Sequence, residues 1–344
     1  MEEESFPMNG GEGAHSYSKN SHYQKLAHDL TKRMVQDTIT RKLKTIFNPF
    51  CIADYGCSVG PNTFFAIQNV IEAVQHKCAS QKELEFQVFF NDHTTNDFNT
   101  LIACLPSERQ YYSAMAPGSF YGRVLPRASV HIAHSCLALQ WLTQVPKTVC
   151  DSKSPAWNPG RIYYTKDRSP KAMADAYAEQ FNKDMQSFIS ARAQEIVPGG
   201  LMVLTMPGIC DRDSPSRYSI GFFEFLGTIL MEMANEGTVE KGDVDAFNLA
   251  LYAPSIEEMK EVIEKNGCFE VERIELTTND FEVEATNIAG LIINFRAALE
   301  GYFRGHFGSE VTNKMFDKAL EESDRVLSVL RNSPHELFVA LKRK

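Results

Sequence analysis

No stretch of this 344-residue chain approaches the ~18 consecutive apolar residues that a membrane span requires. The richest segment, residues 222–233, is interrupted by Glu224 and Glu232. The N-terminus opens Met1-Glu2-Glu3-Glu4-Ser5, with no basic stretch leading into an apolar one. Neither a secretory signal nor a transit peptide is expected from it, since the latter is poor in acids. Positive charge is in deficit: 35 Lys and Arg face 44 Asp and Glu, for a net charge of −9. That balance argues against a nucleic-acid partner, which calls for a basic face. The eight cysteines contain no CxxC pair, so zinc-finger and dithiol redox readings have no support. Scattered thiols in a chain of this size read as reduced, and a cytoplasmic location is expected. No internal repeat is visible, and no low-complexity tract beyond the first 20 residues.

What is present is ordinary globular material, 43% hydrophobic and 23% charged. Residues 1–344 are read as a single domain. The Gly, Ser and Asn of residues 8–21 exclude a regular element there. Helical periodicity then runs over residues 21–43, and a short apolar strand over 50–54 ends in a Gly-rich turn. Pro61 suits the first turn of a helix reaching about residue 76. Residues 86–90, 130–134, 200–205, 269–276 and 337–342 read as strands, and 137–144, 171–196 and 256–266 as helices. Such alternation means an α/β fold, a largely parallel sheet with helices on both faces. Two regions break the rhythm: a hydrophobic helix over 222–240, and a helix pair over 287–330 with Gly301, Gly305 and Gly308 near its join. These predict a mostly helical cap, inserted at about 208–250 and 285–332.

Ligands of a doubly wound sheet bind beyond the carboxyl ends of its strands. The first such end reads Asp54-Tyr55-Gly56-Cys57-Ser58-Val59-Gly60-Pro61. A dinucleotide fingerprint needs Gly-x-Gly-x-x-Gly with an acid ~20 residues on. Here the spacing is Gly56-x-x-x-Gly60, and Asp92 lies 36 residues past Gly56. A P-loop fails too, because Pro61 stands where its lysine belongs. The turn suits S-adenosylmethionine better. That ligand has no pyrophosphate to cradle, its ammonium could meet Asp54, and its ribose diol suits a carboxylate at the next strand end, Asp92. A Gly-rich turn of some other α/β enzyme stays open on spacing alone.

At this point the sequence resembles the plant SABATH family of S-adenosylmethionine-dependent methyltransferases. Residues 8–24 carry the family's Met-x-Gly-Gly-x-Gly-x-x-Ser-Tyr-x-x-Asn-Ser-x-x-Gln, and 53–63 its Ala-Asp-x-Gly-Cys-Ser-x-Gly-Pro-Asn-Thr. Asn91-Asp92, Asn-Asp-Phe-Asn at 96–99, Pro-Gly-Ser-Phe at 117–120, His134-Ser135 and the Trp-Leu-x-x-Val-Pro at 141–146 follow in order. Gly199-Gly200, Phe247-Asn248 and Tyr252-x-Pro254 extend the match over nearly the whole chain. The look is closest to members that methylate terpenoid and other small carboxylic acids, the loganic acid and farnesoic acid methyltransferases among them.

The resemblance implies a Rossmann-like class I methyltransferase sheet and O-methylation of a small plant carboxylic acid to its methyl ester. It implies a cofactor site at Tyr17, Asp54, Cys57, Asn62, Asp92, His93, Ser119, Phe120, Ser135 and Cys136. Gln24 and Trp141 would meet the acceptor carboxylate. Leu137, Phe222, Phe223, Tyr252, Ile293 and Phe295 would complete a mostly apolar acceptor cleft. Some members bind a magnesium ion, read as structural, at positions matching Asn158, Asp245, Phe247 (through its carbonyl) and Asn248. Family members are often homodimers. The sequence departs from the family at Leu137, where many members place a tyrosine.

The implied chemistry is consistent with the residues. A carboxylic acid with a pKa near ~4 is already ionised at neutral pH and needs no general base. Alignment of oxygen, carbon and sulfur can supply roughly 7–11 kcal/mol. Gln24 and Trp141 are neutral donors, able to orient a carboxylate without quenching it. On the residues alone the plainer readings stay open. Trp141 reads as readily as a core tryptophan, Gln24 as a solvated helix residue, Cys57 as packing, Asp92 and His93 as helix caps and Asp245 as a surface acid. Two functional alternatives also stand: N-methylation of a xanthine-type alkaloid, and a small-molecule-binding protein that has lost transfer.

Overall fold

A strand buried on both faces must be apolar at every position, with successive side chains serving opposite layers. The computed structural model of the chain shows this arrangement; it describes residues 7–44, 47–78, 83–164, 170–210, 217–278, 288–329 and 335–344. Helices α1 (Tyr17–Asn20) and α2 (His22–Lys42) precede β1 (Phe50–Tyr55), α3 (Pro61–Lys77), β2 (Phe86–Asp92), α4 (Phe98–Ala103) and β3 (Tyr112–Pro117). Next come β4 (Val130–Cys136), α5 (Lys171–Glu195), β5 (Ile196–Pro207), α6 (Arg217–Asn235), α7 (Lys241–Ala246) and α8 (Ile256–Asn266). The chain closes with β6 (Phe269–Thr278), α9 (Ile288–Glu321), α10 (Ser323–Val329) and β7 (His335–Arg343).

The seven strands form one sheet in the order β3-β2-β1-β4-β5-β7-β6. β1 to β5 are parallel, and β7 runs antiparallel between β5 and β6. Ile52, Ile132, Leu201 and Val203 pack on the side of α2 and α3, with Phe64, Ile67 and Val70. Ala53, Ala133, Met202 and Leu204 face the opposite layer, with Phe181, Phe188 and Met259. Local chemistry sets the helix ends. Ser255 and Glu258 close a capping box at the start of α8, and Gly267 ends it at φ 73°.

The structure departs from the sequence expectations at several places, four of which bear on the architecture around the site. Residues 137–144 are a turn, not a helix: Leu137 sits at φ 52°, its N–H bonds Thr205 O at 2.8 Å, and Trp141 pairs by a β-bridge with Leu251. β3 was not foreseen, because it is an edge strand with Tyr112 64% exposed and lacks an apolar run. α1 forms one short turn inside the Gly/Ser/Asn segment expected to be irregular. α6 stops at Asn235 rather than near residue 240, where Gly237 turns the chain at φ 77°. The segments expected to cap the sheet carry α6, α7, α9 and α10, with α6 against α9 and α10 and a kink in α9 at Gly308. Residues 211–216, 285–287 and 330–332 of those segments lie outside the described residues.

Candidate active site

The turn after β1 is built for close approach. Gly56 adopts φ 83°, and its N–H and that of Cys57 both bond Asn91 O, at 2.9 and 3.0 Å. A Cβ on Gly56 would lie 2.2 Å from Ala138 Cβ, so only glycine fits. Ser58 takes the left-handed region too, and Gly60 leads into Pro61 at the first turn of α3. At the end of β2, Asp92 accepts from Ser58 N and His93 N, each at 2.8 Å. Burial pushes its carboxyl group up, and these two N–H bonds pull it back. Gly56, Ser58, Asp92, His93, Ser119 and Phe120 line one wall of a cavity of about 900 Å³. Ser58 Oγ and Ser119 Oγ are buried there without a hydrogen-bond partner among the described residues. Unpaired hydroxyls in the wall of a cavity suit a polar ligand, which would satisfy them.

Asp54 does not face this cavity. Its oxygens are taken by His134 Nδ1 at 2.7 Å and by the Thr63 hydroxyl, so it is not placed to hold a cofactor ammonium. Cys57, Asn62, Ser135 and Cys136 also lie behind the wall rather than in it. Ser135 Oγ donates to Tyr55 O at 2.8 Å, which ties β4 to β1. Asn62 Nδ2 donates to Ser21 O at 3.0 Å and Ser21 Oγ at 2.9 Å, which anchors the start of α2 on α3. The family motif thus mixes residues that touch the cavity with residues that hold those in place.

One supporting group was not found in the sequence. Arg192 and Glu195, both 0% exposed in side chain, pair at 2.8 Å beneath the loop after β3. Arg192 donates to Phe120 O at 2.6 Å and Gly122 O at 2.9 Å. Glu195 accepts from Val124 N, Leu125 N and the Tyr55 hydroxyl at 2.6, 2.9 and 2.7 Å. The loop that carries Ser119 and Phe120 therefore hangs on one buried ion pair. A helical Arg-x-x-Glu on a core face was the signal available, since such groups are seldom fully buried unless paired.

The second wall of the cavity belongs to the candidate acceptor. Gln24 and Trp141 line it with Leu137, Phe223, Tyr252 and Phe295. Trp141 is held by its bridge to Leu251 and by the Tyr121 hydroxyl, which donates to its carbonyl at 2.5 Å. Phe222 is a correction: it is fully buried and stacks on Phe295 at 4.2 Å, backing the wall without lining it. Ile293 is another. On a helix it lies ~200° around from Phe295, so the two cannot share a face. The residue between them, Asn294, reaches the cavity instead.

Asn158, Asp245, Phe247 and Asn248 come together, but not as an open cation site. Gly160 N and Lys241 Nζ bond the carboxylate of Asp245 at 2.7 and 2.6 Å, and Asn158 Nδ2 donates to Asn248 Oδ1 at 2.8 Å. The set's one carboxylate already carries a lysine ammonium. With Asp245 and Asn248 Oδ1 already engaged, the residues do not fit magnesium as they stand.

Behind Tyr23, another cavity residue, the fold buries a carboxyl group. Tyr23 donates to Glu336 Oε1 at 2.9 Å, while Oε2 has no partner among the described residues. Glu336 is 0% exposed, and burial raises its pKa from 4.5 to about 7. Below pH 4.5 the group is protonated in both states and costs nothing. From there to about 7 only the unfolded chain ionises it, so stability falls as pH rises through that window and stays low above it. Glu336→Gln removes the titration. It should stabilise the protein at pH 8 by at most about 3 kcal/mol, and far less at pH 5. Thermal melts of both proteins at the two pH values test this; a gap that does not change with pH refutes it.

Comparison with known proteins agrees with this geometry. Residues 3–344 match the family model described as SAM dependent carboxyl methyltransferase. A loganic acid O-methyltransferase of Catharanthus roseus is 43% identical over 99% of this chain and 95% of its own length. A farnesoic acid carboxyl-O-methyltransferase of Arabidopsis thaliana is 37% identical over 99% of each. A solved loganic acid methyltransferase with SAH superposes with a TM-score of 0.92, at 42% identity and 98% coverage of this chain and 99% of that one. A family match along almost the full length, a shared fold and a cavity of this design lead to one assignment: the chain belongs to the SABATH family of S-adenosylmethionine-dependent carboxyl methyltransferases.

Proposed function

We propose that the protein esterifies the carboxylate of a small, largely apolar acid of terpenoid or iridoid type, releasing S-adenosylhomocysteine. The observation that carries this reading is a single cavity with Gly56, Asp92 and Phe120 on one wall and the neutral donors Gln24 and Trp141 on the other. Such mostly apolar clefts with a few placed polar groups are the usual form of small-molecule sites. The two relatives named for terpenoid acids support the acceptor class.

When bound, S-adenosylmethionine supplies a methyl group made electrophilic by its sulfonium. Asp92, held by two backbone N–H groups in the cavity wall, would accept from the ribose hydroxyls, and Phe120 would lie against the adenine. Gln24 and Trp141 donate to the acceptor carboxylate and aim one oxygen at the methyl carbon. A bond forms from that oxygen to the methyl carbon as the carbon–sulfur bond breaks, its electron pair going to sulfur. No proton moves, so no acid–base dyad is required. Leu137, Phe223, Tyr252 and Phe295 exclude water from the reacting groups, which strengthens the few polar contacts present. Catalysis here is mainly orientation. The cytoplasmic location expected from the scattered thiols and the homodimer implied by the family resemblance belong to this same proposal.

The test uses methyl-labelled S-adenosylmethionine with iridoid, sesquiterpenoid, benzoate, indole and nicotinate acids, and with xanthines. Base-labile label on an apolar terpenoid acid is the expected result, because esters hydrolyse. Base-stable label on a xanthine overturns it, since N-methyl groups survive base.

A further inference from the structure

We infer that Asn294 is a positioning residue that sets the orientation of the Gln24 amide, and so makes the site select a carboxylate. The inference rests on the acceptor reading above and goes one step deeper.

A glutamine amide has a donor end and an acceptor end of nearly the same shape, and its own geometry does not decide which end faces a ligand. The neighbours decide. Asn294 is 4% exposed, reaches the cavity from α9, and faces the first turn of α2. Its Nδ2 donates to the backbone carbonyl of Asn20 and to Gln24 Oε1, the latter at 3.0 Å. A carbonyl can only accept, so Asn20 O forces Asn294 to turn its nitrogen inward. That same nitrogen meets Gln24. Gln24 must therefore present its oxygen to Asn294, which leaves its NH₂ group for the cavity, and no other described residue engages that group. In the flipped arrangement two donors would oppose each other at Asn294, and a carbonyl oxygen would face the acceptor and repel an anion. The chain of constraint runs from a group without choice, Asn20 O, through Asn294 to Gln24.

Asn20 O is itself steady. The Asn20 side chain donates to Ala14 O and Ser16 O at 2.7 and 2.8 Å, which locks the short turn of α1 in front of α2. The N-terminal segment and α9 are joined again where Asn9 N bonds Ala297 O at 3.0 Å. Removal of the Asn294 amide would leave this backbone contact in place, so the variant should fold.

The experiment is a double-mutant cycle of Asn294→Ala and Gln24→Ala. It is read as KM for loganic or farnesoic acid, whichever the wild type esterifies faster, with S-adenosylhomocysteine affinity and melting temperature alongside. Asn294→Ala should raise KM for the acid about tenfold and leave S-adenosylhomocysteine affinity within about twofold. In the Gln24→Ala background the same change should shift KM less than about twofold, because Asn294 then has nothing to orient. Equal effects in both backgrounds, or a parallel loss of S-adenosylhomocysteine binding, would show a helix tie and overturn the inference. If Asn294→Ala does not fold, Asn294→Leu, which keeps the volume and removes the donor, takes its place in the cycle. If the wild type esterifies no acid, the carboxylate reading falls and takes this one with it, an outcome visible before any variant is made.

Discussion

Arg192→Met should lower the unfolding free energy by about 3–5 kcal/mol and weaken S-adenosylhomocysteine binding in the same protein. The Arg192–Glu195 pair is fully buried, and loss of one partner strands the other charge without water. The guanidinium also lies 4.0 Å from the Tyr55 ring centroid, so packing is lost with the charge. The coupling to binding follows from where the bonds go. Phe120 O and Gly122 O lose their donors, and the loop that presents Ser119 and Phe120 to the cavity loosens. Denaturant unfolding and calorimetric titration with S-adenosylhomocysteine measure the two effects. Adding Glu195→Gln should recover part of the stability, because the stranded charge is gone. It should not recover the binding, because the loop carbonyls remain unpaired. A variant that melts with the wild type and binds with unchanged affinity would refute the assignment of this ion pair.

Gly56→Ala should abolish cofactor binding outright, with a loss of at least about a hundredfold, or about 2.7 kcal/mol. Two costs add. An alanine in the left-handed region costs about 1–2 kcal/mol, and Gly56 is at φ 83°. The added methyl would also stand 2.2 Å from Ala138 Cβ, a contact no structure tolerates. Ala138 has no flexible end that can swing away, so one of two backbone turns must shift. One is the Gly-rich turn after β1; the other carries Leu137 and Trp141. Both line the cavity, so either shift damages it. Gly56→Ala with Ala138→Gly separates the two costs. The clash disappears, the backbone strain stays, and binding should return in part. If Gly56→Ala alone binds S-adenosylhomocysteine normally, the close approach of these turns is not what shapes the site.

The family, the alternation of strands and helices, and the Gly-rich turn were legible in the chain itself. Each is local: a backbone conformation only glycine adopts readily, a period of two or 3.6 residues, a cap spaced three residues from its partner. The same locality explains the errors. Asp54 and Asp92 are both strand-end acids in a family motif, and nothing within either segment distinguishes them. His134 and Thr63 turn one aside; Ser58 and His93 hold the other to the cavity. Residues 137–144 have the composition of a helix, but backbone hydrogen bonds with Thr205, Ala250 and Tyr252 draw them into a turn. Ile293 differs from these, since helical geometry alone already places it opposite Phe295.

The chain alone was thus enough to determine the family and fold of this protein: an α/β carboxyl methyltransferase with a Gly-rich turn after its first strand. Only the tertiary structure decided which of its marked residues line the cavity and which hold others in place. It turned Asp54 and Phe222 to the back of the wall and satisfied Asp245 with Lys241. It brought Arg192 beneath Phe120, 72 residues away, and Asn294 to Gln24, 270 residues away. The reason is the reach of the forces. Backbone torsion and periodicity act within a turn or two and are written in neighbouring residues. A hydrogen bond acts over about 3 Å of space with no regard to distance along the chain, and packing alone sets which groups come that close.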